Sequence, residues 1–359
     1  MKKFLTLLSA SSMALYMTAC SDSSTSADDD PLKPGSVYVF GSDYKTGELR
    51  WVEDDEVSDN ALEFNQDSKV IGVDGNLFVL ERYGADNLAL VNAEKKKIEW
   101  QVDLGDLSNP SDIVKANKDE VWVALEGAAK FVKVSVKDGK VKKTIKTNKF
   151  NQGEAKTPNL VDFEVSGDTL FALFQRSVNY TYPAPGLLAM YKLDNGDLLD
   201  TIKLAKKNPS AMGFVGGKLY VTSMGEYNEF GATDADDARG IEEVDLSKKK
   251  TSLAVSGKKL GGGVYAFAVD SEEGVAYAAV YKGWGDVPLM KVNLSKKSAE
   301  KISGVSDVEG SLFFDDVDGV LYIGDRSAKG GLFTYEKDKA KKIDSPKDML
   351  PVYGIAIVR

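Results

Sequence analysis

Asp74-Gly75-Asn76-Leu77-Phe78-Val79 and Lys118-Asp119-Glu120-Val121-Trp122-Val123 spell the same unit twice: a polar turn, then a strand with an aromatic at its centre. The unit returns as Gly167-Asp168-Thr169-Leu170-Phe171-Ala172, Gly216-Gly217-Lys218-Leu219-Tyr220-Val221, Glu273-Gly274-Val275-Ala276-Tyr277-Ala278 and Asp318-Gly319-Val320-Leu321-Tyr322-Ile323. Its aromatics lie 44, 49, 49, 57 and 45 residues apart. Self-similarity at such a period is the signature of a repeat architecture, and this spacing suits four-stranded propeller blades.

Working outward, each unit is followed by a second strand and a tight turn. Phe131 to Val136 leads into Lys137-Asp138-Gly139-Lys140, and Met190 to Leu193 into Asp194-Asn195-Gly196-Asp197. Ile241 to Leu246 runs into Ser247-Lys248-Lys249-Lys250, and Leu289 to Leu294 into Ser295-Lys296-Lys297. Asp-Gly and Asn-Gly supply the positive φ that a hairpin turn demands. A further strand opens each repeat, as in Asn109-Pro110-Ser111-Asp112-Ile113-Val114 and Asn208-Pro209-Ser210-Ala211-Met212-Gly213-Phe214. Six such units run from about residue 66 to 345, with no convincing helical period between them. The two ends complement each other. Pro351 to Val358 matches an opening strand and then the chain stops, whereas Val37 to Phe40 and Leu49 to Val52 match later strands with nothing before them. Joined, they make a seventh blade and remove the sheet edges of an open array. The sequence therefore predicts an all-β, seven-bladed β-propeller of four-stranded antiparallel blades over residues 36–359, with the N- and C-terminal strands sharing one blade.

The Asn-Pro-Ser or Thr-Pro-Asn motifs at 109–111, 208–210 and 157–159, the aromatic-centred strand and the Asp-Gly hairpin resemble those of secreted bacterial seven-bladed propellers of the YncE-like kind, within the quinoprotein- and lactonase-like superfamily. The resemblance spans roughly residues 36–359 and implies the propeller fold. Relatives of that kind include metal-dependent lactonases and quinone-dependent dehydrogenases, so an enzyme is among its implications. The features that resemble are structural ones, however, and fold alone does not fix chemistry.

The N-terminus reads as an address. Lys2 and Lys3 precede the apolar run Phe4 to Met17, which is too short and wrongly flanked to span a membrane. Met17-Thr18-Ala19-Cys20 resembles a bacterial lipobox, and Cys20 is the chain's single cysteine. Residues 1–19 are thus expected to be a lipoprotein signal peptide. Cys20 would be the lipidated residue that joins the protein to the membrane, and residues 20–35, acidic and polar (Ser21 to Asp30 reads SDSSTSADDD), a disordered tether. Ser21 directly after the cysteine points to the outer membrane of the cell envelope, on its periplasmic side or exposed at the surface.

Composition removes several classes of function. With no histidine and one cysteine, Ser-His-Asp and Cys-His catalysis, His-ligated metals, internal disulfides and iron–sulfur clusters are excluded. Loss of residues 1–19 removes two lysines and no acid, leaving 44 basic against 55 acidic residues, a net charge of −11. Such a chain is not built to neutralise the phosphates of nucleic acid. Paired cysteines of a quinone enzyme are missing. A divalent cation such as Ca²⁺ would need an all-oxygen cage, and Asp234-Ala235-Asp236-Asp237 lacks the alternating spacing and turn glycine of a calcium loop. Asp315-Asp316-Val317-Asp318-Gly319 occupies the recurring turn of its blade. Lysines at 95–97, 142–143, 248–250, 296–297 and 341–342 recur at the outer hairpins, where charge guards an edge strand against aggregation.

Structural residues repeat and functional ones need not, so departures from the repeat mark a candidate face. The long loops Phe174 to Pro185, Met224 to Gly240 and Tyr281 to Pro288 carry Arg176, Tyr180, Tyr182, Glu226, Tyr227, Phe230 and Trp284. Short loops on the same side add Arg82, Tyr83 and Arg326. Aromatic surface with fixed donors suits a small-molecule, glycan or protein ligand. The expectation is a lipid-anchored binding or scaffolding module without catalytic residues. Its alternative is a carboxylate- or metal-dependent lactonase or lyase with its site in the central channel.

Overall fold

In a computed structural model, residues 35–228, 231–232, 238–309 and 311–359 are described, the side chains of 227, 228, 231 and 232 excepted. The expected signal peptide, Cys20, the acidic segment after it, Phe230 and the Asp234-Ala235-Asp236-Asp237 loop lie outside them. Seven antiparallel sheets form a closed ring, each running from the channel outward. Their inner strands are Ser68–Val73, Pro110–Lys115, Leu160–Ser166, Pro209–Val215, Gly263–Asp270, Leu312–Asp315 and Val352–Val358, here blades 1 to 7. Each inner strand packs beside the next, and the last returns to the first. Blade 7 is the composite: Val352–Val358 pairs with Ser36–Ser42, with Ser36 opposite Val358 and Gly41 opposite Val352. Its fourth position differs from the expected single strand. Asp54 and Asp55 turn the chain through positive φ, so that Glu56–Val57 pairs with one end of Gly47–Glu53 and Leu62–Phe64 with the other.

The repeated unit explains the ring. Its strand is second in each blade and lies between two neighbouring sheets, so alternate residues face opposite blades and both sets must be apolar. In Asn76–Glu81, Leu77 and Val79 pack toward blade 7, while Phe78 and Leu80 pack toward blade 2. Among the described residues there are seven apolar clusters, one between each pair of blades. Burying each of these leucines and phenylalanines stabilises the fold by roughly 1.5–3 kcal/mol. Aromatic residues add a polar link at the same interfaces. Tyr38 Oη donates to Ala93 O at 2.9 Å, Trp100 Nε1 to Val136 O at 2.9 Å and Trp122 Nε1 to Leu193 O at 2.7 Å, each reaching the hairpin of the following blade.

Turn chemistry follows the sequence. Gly139 and Gly196 take φ of 67° and 68° in the Asp-Gly and Asn-Gly hairpins, while Lys249 and Lys297 adopt φ of 54° and 52° in the Ser-Lys-Lys ones. The shared asparagine of the opening motifs has a structural role, since Asn109, Asn159 and Asn208 all sit at φ of 45–55° and turn the chain into an inner strand.

The last strand approaches blade 1 closely at the seam between blades 7 and 1. A Cβ on Gly72 would stand 1.8 Å from Ile357 O, where a backbone atom cannot yield. Gly72→Ala is therefore expected to destabilise the protein by about 1–3 kcal/mol or more, read as a lowered midpoint in urea unfolding. An unchanged midpoint would contradict the closure described here.

Candidate functional site

Five inner strands carry a β-bulge one step in from the same end. The pairing jumps across Ser111, Val161, Ser210, Tyr265 and Tyr353, leaving each as the extra residue of its strand. A bulge re-aims the side chain it inserts, and all five of these residues line one cavity of ≈ 570 Å³ at the mouth of the channel. The bulges also join the blades. Ser111 Oγ donates to Leu160 O and Ser210 Oγ to Val264 O, both at 2.6 Å.

Aromatic side chains form the cavity's walls. Tyr265 and Tyr281 stack with rings 6.2 Å apart and 29° between planes. Tyr182 and Tyr353 stand in the same wall. Trp284 is 75% exposed, leaning on Tyr44 at 5.4 Å. Polar groups occupy the gaps. Arg82 Nη2 meets Glu126 Oε2 at 3.0 Å, and Asn109 Nδ2 donates to the same oxygen at 3.0 Å. Burial works against the charge on Arg82, but the neighbouring Glu126 and Asp67 more than offset it and keep the guanidinium ionised. Gln175 and Asn208 complete the ring of amides.

The floor is ionisable. Lys69 Nζ donates to Ser111 O at 2.9 Å, while burial and the charge of Arg82 push its ammonium below the ordinary range. Asp112 and Asp162 each accept a backbone N–H of the following blade, from Phe163 and Met212, at 2.7 Å. Both carboxyls are raised: burial dominates, with Asp112 adding a like charge to Asp162. Glu164 lines a second cavity of ≈ 440 Å³ that also takes in Gly72, Val73 and Asn117. Burial and the charge of Asp112 push it up to about 7. Among the described residues no group of three or more carboxylates is arranged to hold a metal ion.

Of the residues singled out from sequence, Arg82, Tyr182 and Trp284 lie in the mouth. Arg326 sits beside it, between the rings of Tyr44 and Tyr353 at 4.6 and 5.2 Å, with Nη2 donating to Ser42 O at 3.2 Å. It thereby fastens the first strand to the last. Arg176 is engaged by the connection that precedes its blade, donating to Gln152 Oε1 at 2.6 Å and Phe150 O at 3.2 Å. Tyr83 and Tyr180, 75% and 90% exposed, stand outside the cavity lining, Glu226 pairs with Lys207, and the side chain of Tyr227 is not among those described. Lys69, Asp112, Asp162, Tyr265 and Tyr353 were missed. The available signal was a polar or aromatic residue interrupting an opening strand.

No protein-family model matches the chain, and no curated protein sequence does. Among solved structures it is similar to Kuenenia stuttgartiensis hydrazine synthase, at TM-score 0.62 and 12% identity over 86% of this chain and 95% of that one. It is likewise similar to a functionally unknown protein of Desulfotomaculum acetoxidans, at TM-score 0.60 and 12% identity over 91% and 99% of the two chains. A third is apo AztD of Citrobacter koseri, at TM-score 0.56 and 9% identity over 90% and 98%. These likenesses establish the fold and leave the ligand to the site itself.

The buried ionisable groups of the inner strands carry a pH dependence of defined sign. A carboxyl raised in the folded state holds its proton more firmly than in the unfolded chain, so its contribution is present at low pH and lost as pH climbs through the folded value. For Glu164 the window runs from the ordinary 4.5 to about 7. Lys69, lowered in the folded state, works in the opposite direction, so the comparison must isolate one group. The melting temperature of the native protein, minus that of Glu164→Gln, is expected to fall between pH 5 and 8; a flat difference would refute the assignment.

Proposed function

We propose that this protein is a lipid-anchored propeller of the cell envelope that binds a small organic ligand at the mouth of its channel and does not transform it. The observation that carries this reading is the convergence of Tyr182, Tyr265, Tyr281, Trp284 and Tyr353 on one cavity of ≈ 570 Å³, a size and lining suited to a small-molecule site. The strand that follows the expected tether enters the fold away from this cavity. Ser36 pairs with Val358, at the end of blade 7 opposite Tyr353 and the mouth. A propeller held through Cys20 therefore has its mouth at the far face from where the chain joins the fold.

The second reading, a carboxylate enzyme, draws on Asp162, which lines the cavity, and on Asp112 of the preceding blade, two buried carboxyls that are both raised. Both already accept N–H groups that bind blade to blade, which is sufficient reason for their presence, and the binding reading is preferred.

Two measurements test the proposal. Cys20→Ser is expected to move the protein from the membrane to the soluble fraction; continued membrane residence with unchanged incorporation of a lipid precursor would remove the anchor. In a thermal-shift screen of neutral, cationic and anionic small molecules, at least one class is expected to raise the unfolding midpoint. Trp284→Ala should weaken that binding at least tenfold, about 1.4 kcal/mol. A shift that survives Trp284→Ala at full strength would place the site elsewhere, and turnover of a bound molecule that Asp162→Asn abolishes would favour the enzyme.

A further inference from the structure

The charges around the mouth are the most informative feature of its chemistry. Two cations and three carboxylates line it: Lys69 and Arg82 against Glu126, Asp162 and Glu309. Each has a partner within the protein. Arg82 pairs with Glu126 at 3.0 Å, Lys69 donates to Ser111 O, and Asp162 accepts from Met212 N. Glu309 Oε2 accepts from Tyr44 Oη at 2.7 Å and lies 3.6 Å from Arg326 Nε. An anionic ligand would meet Glu126 and Glu309, and a cationic one would meet Lys69 and Arg82. Either would have to break a protein ion pair or stand beside a like charge in a partly desolvated site.

What the cavity leaves available is neutral. The hydroxyls of Tyr182 and Tyr265 make no hydrogen bond to a described residue, and the amides of Gln175 and Asn208 face the same space. Glu126 and Arg82 retain acceptor and donor capacity beyond their mutual bond. Beside these polar groups stand flat apolar faces: the Tyr265–Tyr281 stack and the indole of Trp284, three-quarters exposed. A ring with hydroxyls around its rim and C–H groups on its face answers both halves of this lining.

Resting on the reading that the mouth binds a small ligand, we propose that the ligand is a neutral saccharide, stacked on Trp284 and the Tyr265–Tyr281 pair and hydrogen-bonded by Gln175, Asn208, Glu126 and Arg82. Anionic sugars of the same ring are disfavoured by Glu126 and Glu309, and cationic ones by Lys69 and Arg82. The site reads the absence of charge.

Trp284 is the exposed tryptophan of the four: Trp51 and Trp122 are buried and Trp100 is partly so. Its fluorescence therefore reports on the mouth. The full-length protein, purified in detergent, would be titrated with glucose, cellobiose, maltose and N-acetylglucosamine, and in parallel with glucosamine and glucuronate. Saturable quenching by at least one neutral sugar is expected, with both charged sugars at least tenfold weaker. Trp284→Phe should retain binding by melting-temperature shift, and Gln175→Ala should weaken it at least tenfold. If a charged sugar binds as well as the neutral ones or better, the saccharide's neutrality is refuted and the mouth remains a binding site. If no sugar binds while another small molecule does so at Trp284, the saccharide is refuted alone. If nothing binds there, both readings fall together.

Discussion

The ring stands on the pairing of its two chain ends. Ser36–Ser42 lies between Val352–Val358 and Gly47–Glu53, hydrogen-bonded on both sides. Without that strand the inner strand of blade 7 would present an open edge, and the apolar clusters between blades 6 and 7 and between blades 7 and 1 would each lose a wall. The other five clusters are made by blades consecutive in sequence. Arg326 and Gly72 belong to the same constraint, one gripping both end strands by their carbonyls and the other letting the last strand approach the first blade. Even Tyr44 and Tyr353, beside the mouth, are positioned by the segments that perform this closure.

Much of this was legible in the residues. The apolar second strands, the glycine hairpins and the matching broken units at the ends follow from periodicity, because a strand buried on both faces has few alternatives. The lining of the channel was harder to read, for a physical reason. A single inserted residue at Ser111, Val161, Ser210, Tyr265 or Tyr353 shifts the alternation of its strand, so counting by twos misassigns which side chain meets the cavity. Arg326 illustrates the converse. It stands in a short loop on the candidate face, yet its guanidinium is directed at backbone carbonyls. Sequence gives the loop and the residue type; the partner depends on a strand 284 residues away.

The polar groups of the channel join two demands that usually conflict. Inner strands bring backbone N–H and C=O groups toward an axis where there is no further strand to pair them, and buried polar groups left without partners are expensive. Ser111, Ser210, Asp112 and Asp162 meet that need from the bulges and their neighbours, each bonding to the next blade. Ser111, Ser210 and Asp162 also line the mouth. Structural stitching and the polarity of the cavity are the work of one set of residues, which is why Asp112 and Asp162 repeat a position where a purely functional residue would not.

The antiparallel match of Ser36 with Val358 also orders events in time. Blades 1 to 6 are each contiguous in sequence and condense from local contacts. The first-made strand of the fold has no inner partner until the final residues have been delivered. Closure is therefore the most non-local step available to this chain, carrying the loop entropy of nearly its whole length. The strand that closes the ring is thus separated from its partner by every blade between them.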